Sequence, residues 1–291
     1  MKGSPMRDSR NHDHRRVDRT GLLDEITRLP VGEGASLQVL RIMDDPSASA
    51  RDIGAVVERD PALTMQMLRM ANSPLYGGRQ TLVSAREAVA RLGFDLVRSL
   101  VVHTVYRLSA VGDDTVPPEF WEHSFETATV ASLMADQVAV SPAEMFSMGL
   151  LLDLGIALLA RYDAEGYSAV QTLTGSVDSL LTAEQQVFGI SHADVSAAAL
   201  QRLRFPNSIV SAVAEHHLLP SGASSPFTRT FVLADALAHE IGGTASESAV
   251  SLSSVLDWLG ISAARVDRLV QDSRHQLESL SDLAVASNRS R

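Results

Sequence analysis

Apolar residues recur at helical spacing along almost the whole chain from Gly21 onward. Between Asp60 and Pro74, for example, Leu63, Met67 and Ala71 fall on one face of a single helix. Period-two alternation bounded by turns, and the Asn-Gly or Asp-Gly dipeptides of tight hairpins, are missing. The pattern therefore predicts an all-α fold of about a dozen helices.

Helix starts are marked by residues that can satisfy the free amides of a first turn. Ser84 with Glu87, and Ser141 with Glu144, match the capping box, in which serine and glutamate bond reciprocally to the backbone. Further starts are predicted at Ser49 with Asp52, at Thr182 with Gln185, and at Ser262. The methionines that follow Asp60 could form an adaptable docking groove, but such a stripe is more often core.

Turn formers and two prolines interrupt the helical pattern at Ala110–Pro118. This break predicts a first helical lobe over residues 20–110, a linker at 110–118 and a second lobe that begins at 119. The remaining boundaries divide the second part of the chain into a lobe at 119–240, a helical extension packed on it at 241–285, and a tail at 286–291.

Composition narrows the classes of function. The net charge of -10 and the pI near 5.3 argue against a general nucleic-acid surface. Residues 1–19 are basic and poor in apolar side chains, which predicts a disordered tail. Nucleic-acid binding through this tail and Arg91, Arg98 and Arg107 is an alternative, although a solvated helix face explains these arginines adequately.

The absence of cysteine excludes disulfides and thiolate metal ligands. Because no apolar run reaches the 18 or more residues of a membrane helix, and the N-terminus lacks the apolar core of a signal peptide, we expect a cytoplasmic protein.

One apolar stretch carries a carboxylate into the predicted core. Phe146–Gly155 reads Phe-Ser-Met-Gly-Leu-Leu-Leu-Asp-Leu-Gly, which predicts a buried helix with Asp153 near its end. Since an unpaired buried charge costs several kcal/mol or more, Asp153 should meet a hydrogen-bond donor, a cation or a metal.

Several motifs resemble known families. Gly-Leu-Leu-Leu-Asp-Leu-Gly is similar to a segment of the HD phosphohydrolases, in which adjacent His and Asp bind metal, but Leu152 stands at the His position. Asp-Pro-Ala-Leu-Thr, Leu-Arg-Met-Ala-Asn-Ser-Pro-Leu-Tyr-Gly and Ser-Ala-Arg-Glu-Ala-Val-Ala-Arg-Leu-Gly together resemble the HDOD domain, a signalling relative of that superfamily. The resemblance covers about residues 20–240, so that the lobe at 119–240 would be HD-like. Its motif residues here are Asp60, Pro61, Asn72, Ser73, Trp121, Gly149 and Gly155.

The resemblance also implies a pocket of former metal ligands. The positions that match are His123, Asp153, His192, His216 with His217, and Asp235. Because leucine has no lone pair to give a metal, we expect no metal and no cofactor, with these groups hydrogen-bonded to each other instead. A residual metal or nucleotide site is the alternative. The Glu and Gly-Tyr-Pro that mark the HD-GYP phosphodiesterases after the paired histidines are absent.

The expected function is that of a stand-alone, non-catalytic HDOD module. The resemblance implies a role in bacterial signal transduction, such as cyclic di-GMP, stress or motility pathways, exerted by binding a protein partner. A surface groove between the lobes, bordered by the linker at Ala110–Pro118, is the predicted place for that partner or for a small ligand. We expect no nucleic-acid or membrane partner. The alternative function is a metal-dependent phosphohydrolase acting on a nucleotide or cyclic dinucleotide.

Overall fold

A computed structural model describes residues 19–27, 35–77, 80–109, 116, 118–174, 180–203, 205–218, 224–243 and 252–288. The described residues form sixteen α-helices, one short 3-10 helix and no strand, which confirms the all-α prediction. The predicted disordered tail at 1–19 and linker at 110–118 lie almost wholly outside the described residues.

Six helices fall in the part of the chain predicted as the first lobe, although the first of them packs on helices of the second lobe. They are α1 (Arg19–Ile26), α2 (Ala35–Met43), α3 (Ala50–Val57), α4 (Pro61–Asn72), α5 (Ala85–Leu92) and α6 (Phe94–Ser109). The second lobe holds α7 (Pro118–Leu133), α8 (Pro142–Leu150), α9 (Leu154–Tyr162), α10 (Ala164–Thr174), α11 (Leu180–Phe188), α12 (His192–Arg202), α13 (Asn207–Glu215) and α14 (Pro226–Gly242). The extension consists of α15 (Leu252–Leu259) and α16 (Ala263–Asn288).

The helix starts agree only in part with the predicted caps. Ser49 and Ser141 form the reciprocal capping boxes, and Ser262 directly precedes α16. Ser84 is the N-cap residue of α5, but its side chain makes no capping hydrogen bond. The predicted start at Thr182 is wrong, because the chain is already helical at Leu180, which is buried with Ala183 in the core.

One continuous hydrophobic core runs through both lobes. Helix α6 packs on α2 in the first lobe and on α8 and α9 in the second, so it carries the core across the boundary. In the second lobe α7 lies against α8 and α14, while α12 lies against α9 and α13. Helix α16 contacts α7, α14 and α4, and α15 contacts α14.

Arg98 joins the two lobes through backbone groups. Its guanidinium donates to the carbonyl of Met43 at 2.9 Å and to that of Leu203 at 3.1 Å. A charged donor shared by two carbonyls stabilises such a junction more than a neutral hydrogen bond would. Arg91 likewise donates to the carbonyls of Ala71 and Gln80, so two of the three arginines considered for nucleic-acid binding have structural roles.

The motif residues of the first lobe organise α4 and the loop that follows it. The Asp60 carboxylate accepts from the amide of Leu63, and Pro61 occupies the first helical position, where no amide is needed. The Asn72 side chain both donates to the carbonyl of Leu82 and accepts from its amide, each at 2.8 Å. These contacts fix the loop before α5.

The methionines of α4 belong to the core. Met67 and Met70 are buried, in agreement with the interpretation of this stripe as core and not as a docking groove.

Two motif glycines allow helices to approach closely. A Cβ on Gly149 would lie 2.7 Å from the Cα of Ala128, so α7 and α8 touch backbone to backbone. A Cβ on Gly155 would overlap the carbonyl of His192, so α9 meets the first turn of α12. Both glycines are therefore needed for packing, and the second sets the position of a candidate site residue.

The stretch Pro142–Tyr162, with a mean hydropathy of 1.7, is the only described segment whose length and composition would let it cross a membrane. However, 89% of its most apolar 18-residue segment is buried inside the fold, and the core helices of other proteins can be equally long and apolar. It is weak evidence for a membrane span.

Replacing Gly149 with alanine should destabilise the fold by about 1–3 kcal/mol, because the new methyl group meets backbone atoms that cannot rotate away. In an unhindered helix the same change would stabilise by about 1 kcal/mol. Urea denaturation measures the difference. Gly242→Ala is the matched control, since the three atoms nearest to its Cβ would belong to the carboxylate of Glu126, at the end of a flexible side chain. Equal stability of the two variants would contradict this account of α7–α8 packing.

Candidate functional site

The predicted buried helix over 146–155 is interrupted at its centre. Helix α8 ends at Leu150 and α9 begins at Leu154, with a turn between them. Asp153 is the N-cap residue of α9, yet its side chain makes no capping hydrogen bond. The carboxylate is instead turned toward histidines from three other helices.

The buried Asp153 carboxylate has the partners that the sequence analysis required. Its Oδ1 atom lies 3.0 Å from Nε2 of His216 and 3.6 Å from Nε2 of His192. Its Oδ2 atom lies 3.6 Å from Nε2 of His123. Asp153 is thus the centre of a cluster to which α7, α9, α12 and the end of α13 all contribute.

His192 is oriented by a carboxylate that the sequence analysis missed. Glu184 of α11 is fully buried and accepts from both the backbone amide of His192, at 2.7 Å, and its ring Nδ1, at 2.8 Å. Since Nδ1 donates to Glu184, the Nε2 atom of a neutral ring carries a lone pair. That lone pair is directed toward Asp153 and toward Nε2 of His217, which lies 2.8 Å away.

His216 shows the same arrangement. Its Nδ1 lies 2.6 Å from the carbonyl oxygen of Val213, and because a carbonyl can only accept, Nδ1 must carry the proton. Nε2 then faces the Asp153 oxygen. That contact is favourable only if the ring holds a second proton or if a cation lies between the two atoms.

A second group of polar side chains, from α7 and α14, lies beside the Asp153 cluster. His123 of α7 has its Nε2 atom 3.0 Å from Oδ1 of Asp235 on α14. His239, one turn after Asp235 on the same helix, has its Nε2 atom 3.8 Å from that oxygen. The two imidazole rings stack with their centroids 4.2 Å apart. Asp235 also lies 4.0 Å from Nδ1 of His217, which connects the two groups.

Burial and neighbouring charges shift the titration of the cluster strongly. Burial alone would lower the pKa of His123, but its contacts with Asp153 and Asp235 outweigh burial and raise this pKa to about 10. Burial would raise the pKa of Asp153, but hydrogen bonds from His123 and His216 hold it well below its usual value. The pKa of His217 is lowered by burial and by repulsion from His216 and His192.

The donor set fits a metal ion. Four ligand atoms, from Asp153, His192, His216 and His217, lie within 4.8 Å of one another, as do those of His123, Asp235 and His239. His192 and His216 each donate the other ring nitrogen to a carboxylate or carbonyl, which is the usual support of a metal-binding imidazole. In addition, Nδ1 of His217 is buried with no hydrogen-bond partner among the described residues.

The five predicted pocket residues are therefore brought together. Leu152 is entirely buried in the hydrophobic core, and the four-residue group is assembled without it. Two contributors were missed. His239 follows Asp235 by four residues and so shares its helix face, a signal that the sequence does contain. For Glu184, which precedes His192 by eight residues across a turn, the sequence holds no comparable signal.

A separate cavity of about 280 Å³ opens between the lobes. Its described lining includes no residue of the linker at 110–118, which was predicted to border the groove, so that prediction remains untested. Its walls come from α6 and the end of α2 in the first lobe, and from α8 and the segment after α12 in the second. The lining combines carboxylates, one arginine and apolar side chains: Asp44, Asp95, Glu144, Arg98, Met148 and Phe205.

Fold and site together define an all-helical protein with a buried cluster of histidines and carboxylates. The HDOD domain model matches residues 29–219, which is more than half of the 291 residues. The chain therefore belongs to the HDOD domain family, as the sequence motifs indicated.

Individual relatives share the fold at low identity. An uncharacterized protein of Treponema pallidum is 23% identical over 209 residues, which represent 68% of this chain but only 39% of the relative. The chain thus spans well under half of that protein. A crystal structure of an HDOD domain protein of unknown function from Geobacter sulfurreducens matches with a TM-score of 0.60 and 22% identity, covering 91% of this chain and 98% of its own.

A protein from Shewanella amazonensis, inferred to be a phosphohydrolase, matches equally well. Its TM-score is 0.60 at 21% identity, and the match covers 91% of this chain and 93% of that one. At these identities the likeness establishes the fold alone.

The raised pKa of His123 makes stability depend on pH in metal-free protein. A histidine whose folded pKa lies above its ordinary value of 6.5 stabilises fully below 6.5, and this contribution is lost as pH rises toward 10. Chelator-treated protein should therefore lose on the order of 1 kcal/mol or more between pH 7 and 9.5, measured by urea denaturation. His123→Gln should lose less. The exposed His275→Gln should behave as wild type, and equal slopes in all three proteins would refute the prediction.

Proposed function

We propose that this protein is a non-catalytic signalling module of the HDOD family that acts by binding another protein. The observation that carries the proposal is the burial of the His and Asp cluster. Its most exposed side chains, those of His123 and His239, show only 11% of their surface to solvent. A phosphoester would have to touch bound ions directly, and little of these side chains is exposed to it.

The interlobe cavity supports the proposed binding of another protein. Residues of both lobes line it, and its carboxylates outnumber its one arginine. That arginine, Arg98, is already bonded to two backbone carbonyls. Such a surface suits a partner that presents a basic side chain flanked by apolar residues. A location in the cytoplasm belongs to the same proposal, as does the bacterial signalling context that the family suggests.

One observation favours a second candidate, a metal-dependent phosphohydrolase acting on a nucleotide or cyclic dinucleotide. The group of Asp153, His192, His216 and His217 needs no ligand from position 152. A divalent ion held there would supply a bound water of lowered pKa as the nucleophile. Asp153 and the three imidazoles would hold and orient that ion, and Glu184 would fix the ring of His192.

Hydrolysis assays separate the two candidates. Purified full-length protein supplied with Mn²⁺ or Zn²⁺ should hydrolyse bis(p-nitrophenyl) phosphate and cyclic dinucleotides no faster than buffer containing the same ion. Asp153→Asn should give the same background. Turnover by the wild type that disappears in Asp153→Asn, with the variant still folded by circular dichroism, would establish the hydrolase instead.

The binding function has its own test. Tagged wild type and Asp153→Asn, expressed at native level in the host cell and cross-linked there, should enrich the same protein over a tag-only control. Asp95→Asn, which removes an exposed charge from the lining of the cavity, should enrich it less. Recovery of no protein above the control would contradict the proposal.

A further inference from the structure

We propose that the basic segment at residues 1–18 docks into the interlobe cavity of its own chain and competes there with the protein partner. The groups that we assign to the contact are the guanidinium groups of Arg15 and Arg16, which would face the carboxylates of the cavity. Only the competition rests on the proposed function, because docking itself can be measured without any partner.

The charges of the segment and of the cavity are opposite. The segment has an excess of basic side chains, although the whole chain carries a net charge of -10. Its basic residues are Lys2, Arg7, Arg10, Arg15 and Arg16, and its acidic residues are Asp8, Asp13 and Asp18. The described lining of the cavity has the opposite excess, with three carboxylates to one arginine. Complementary charge of this kind steers two surfaces together and fixes their orientation.

The arginine pair is the densest positive charge in the segment. Arg7 is followed directly by Asp8, whereas Arg15 and Arg16 adjoin each other and are followed by the apolar Val17. An arginine can donate two parallel hydrogen bonds to one carboxylate, so two adjacent guanidinium groups suit a site that offers more than one.

The lining of the cavity suits a guanidinium group and its hydrocarbon stem. Its own arginine, Arg98, lies 3.6 Å from Asp44 and donates to two backbone carbonyls. Asp95 and Glu144 are therefore the carboxylates that a second cation would meet, and Asp95 is exposed. Apolar side chains such as that of Phe205 lie beside them and can cover the methylene groups of the stem.

The segment is attached close to the cavity. The described chain begins at Arg19, the first residue of α1. On that helix Asp24 pairs with Arg202 at 3.2 Å, and Arg202 adjoins Leu203, which lines the cavity. A helix rises about 1.5 Å per residue, so Arg19 lies about 8 Å from Asp24 along α1. Arg16 precedes Arg19 by three residues, and an extended chain of that length spans about 10 Å. A short tether of this kind gives the arginine pair a high effective concentration at the cavity.

Docking would regulate access to the cavity. The segment and the basic side chain of the partner would use the same carboxylates, so the partner can bind only the fraction of molecules whose cavity is open. A segment docked about nine-tenths of the time would raise the apparent Kd of the partner about tenfold. The segment is thus a built-in competitor that a partner with higher affinity for the cavity displaces.

Disulfide trapping in the full-length protein tests the docking. Because the chain has no cysteine, Asn11→Cys combined with Ser208→Cys introduces one defined pair. Ser208 is exposed and lies two residues after Pro206, which lines the cavity. In a glutathione redox buffer the pair should close within one chain, measured by gel mobility without reductant. Arg15→Gln with Arg16→Gln should slow closure about threefold or more, because two partly exposed ion pairs are lost.

A matched variant controls for total charge. Arg268→Gln with Arg274→Gln removes the same charge from exposed positions of α16 and should leave the rate of closure unchanged. Equal rates in all three proteins would overturn the inference. So would a disulfide that joins two chains, seen as a doubled mass on the gel, because the segment would then occupy a second copy.

A charge exchange separates specific pairing from a loss of folding. Asp95→Arg should slow closure, and Arg15→Glu with Arg16→Glu should restore the rate in that background. An unfolded variant cannot be rescued in this way. If Asp95→Arg remains folded by circular dichroism and the added glutamates give no recovery, Asp95 is not the docking carboxylate and the assignment is refuted.

The pull-down described above measures the competition separately. Arg15→Gln with Arg16→Gln should enrich the partner about threefold more than the wild type, because the cavity is open more often. Lower enrichment would overturn the competition, since the arginines would then belong to the partner's contact. Trapping that depends on the arginines, with no protein enriched, would retain docking and remove only the proposed function. The two proposals therefore fail separately.

Discussion

The contact between the Asp153 carboxylate and the ring of His216, 3.0 Å apart and buried, is the constraint on which the second lobe depends. A carboxylate at this depth costs several kcal/mol unless it is paired, so helices that bring partners must close around it. The break between α8 and α9, the backbone contact at Gly155 and the Glu184 carboxylate behind His192 all serve that closure. Loss of one partner would leave the remaining charge uncompensated in the core.

The first lobe contributes none of the described residues of the His and Asp cluster, but it forms one wall of the interlobe cavity. Its core is continuous with that of the second lobe through α6, and Arg98 bonds to carbonyls on both sides of the junction. The motif residues Asp60 and Asn72 act on their own backbone surroundings, as a helix cap and as a loop anchor. The most recognisable part of the sequence thus describes how the lobe is built. The chemistry resides in scattered positions of the other lobe.

The sequence predicted what depends on local pattern. Helical spacing, the caps at Ser49 and Ser141, and the convergence of His123 with Asp235 all follow from periodicity or from a family motif. What it could not predict depends on tertiary contacts. The partners of Asp153 are one example, since His216, whose ring contacts its carboxylate, lies 63 residues further along the chain. Glu184 was missed for a similar reason, because nothing in its neighbourhood marks it as buried.

Leucine at position 152, where the HD motif has histidine, affects the candidate metal site less than the motif alone suggests. A leucine there removes one potential ligand, yet it packs in the core and leaves the four nitrogen and oxygen donors around Asp153 in place. His192 and His216 each donate a hydrogen bond from Nδ1 to an acceptor outside the cluster, Glu184 for the first and the Val213 carbonyl for the second. Their Nε2 atoms therefore face the centre of the cluster. A purely hydrogen-bonded network would need a second proton on the ring of His216 to make its contact with the Asp153 oxygen favourable. A divalent ion would satisfy the same lone pair without that proton. The fold can therefore lack the ligand at position 152 and still keep a set of donors that fits a metal ion. The stronger argument against catalysis is the burial of the cluster and not Leu152.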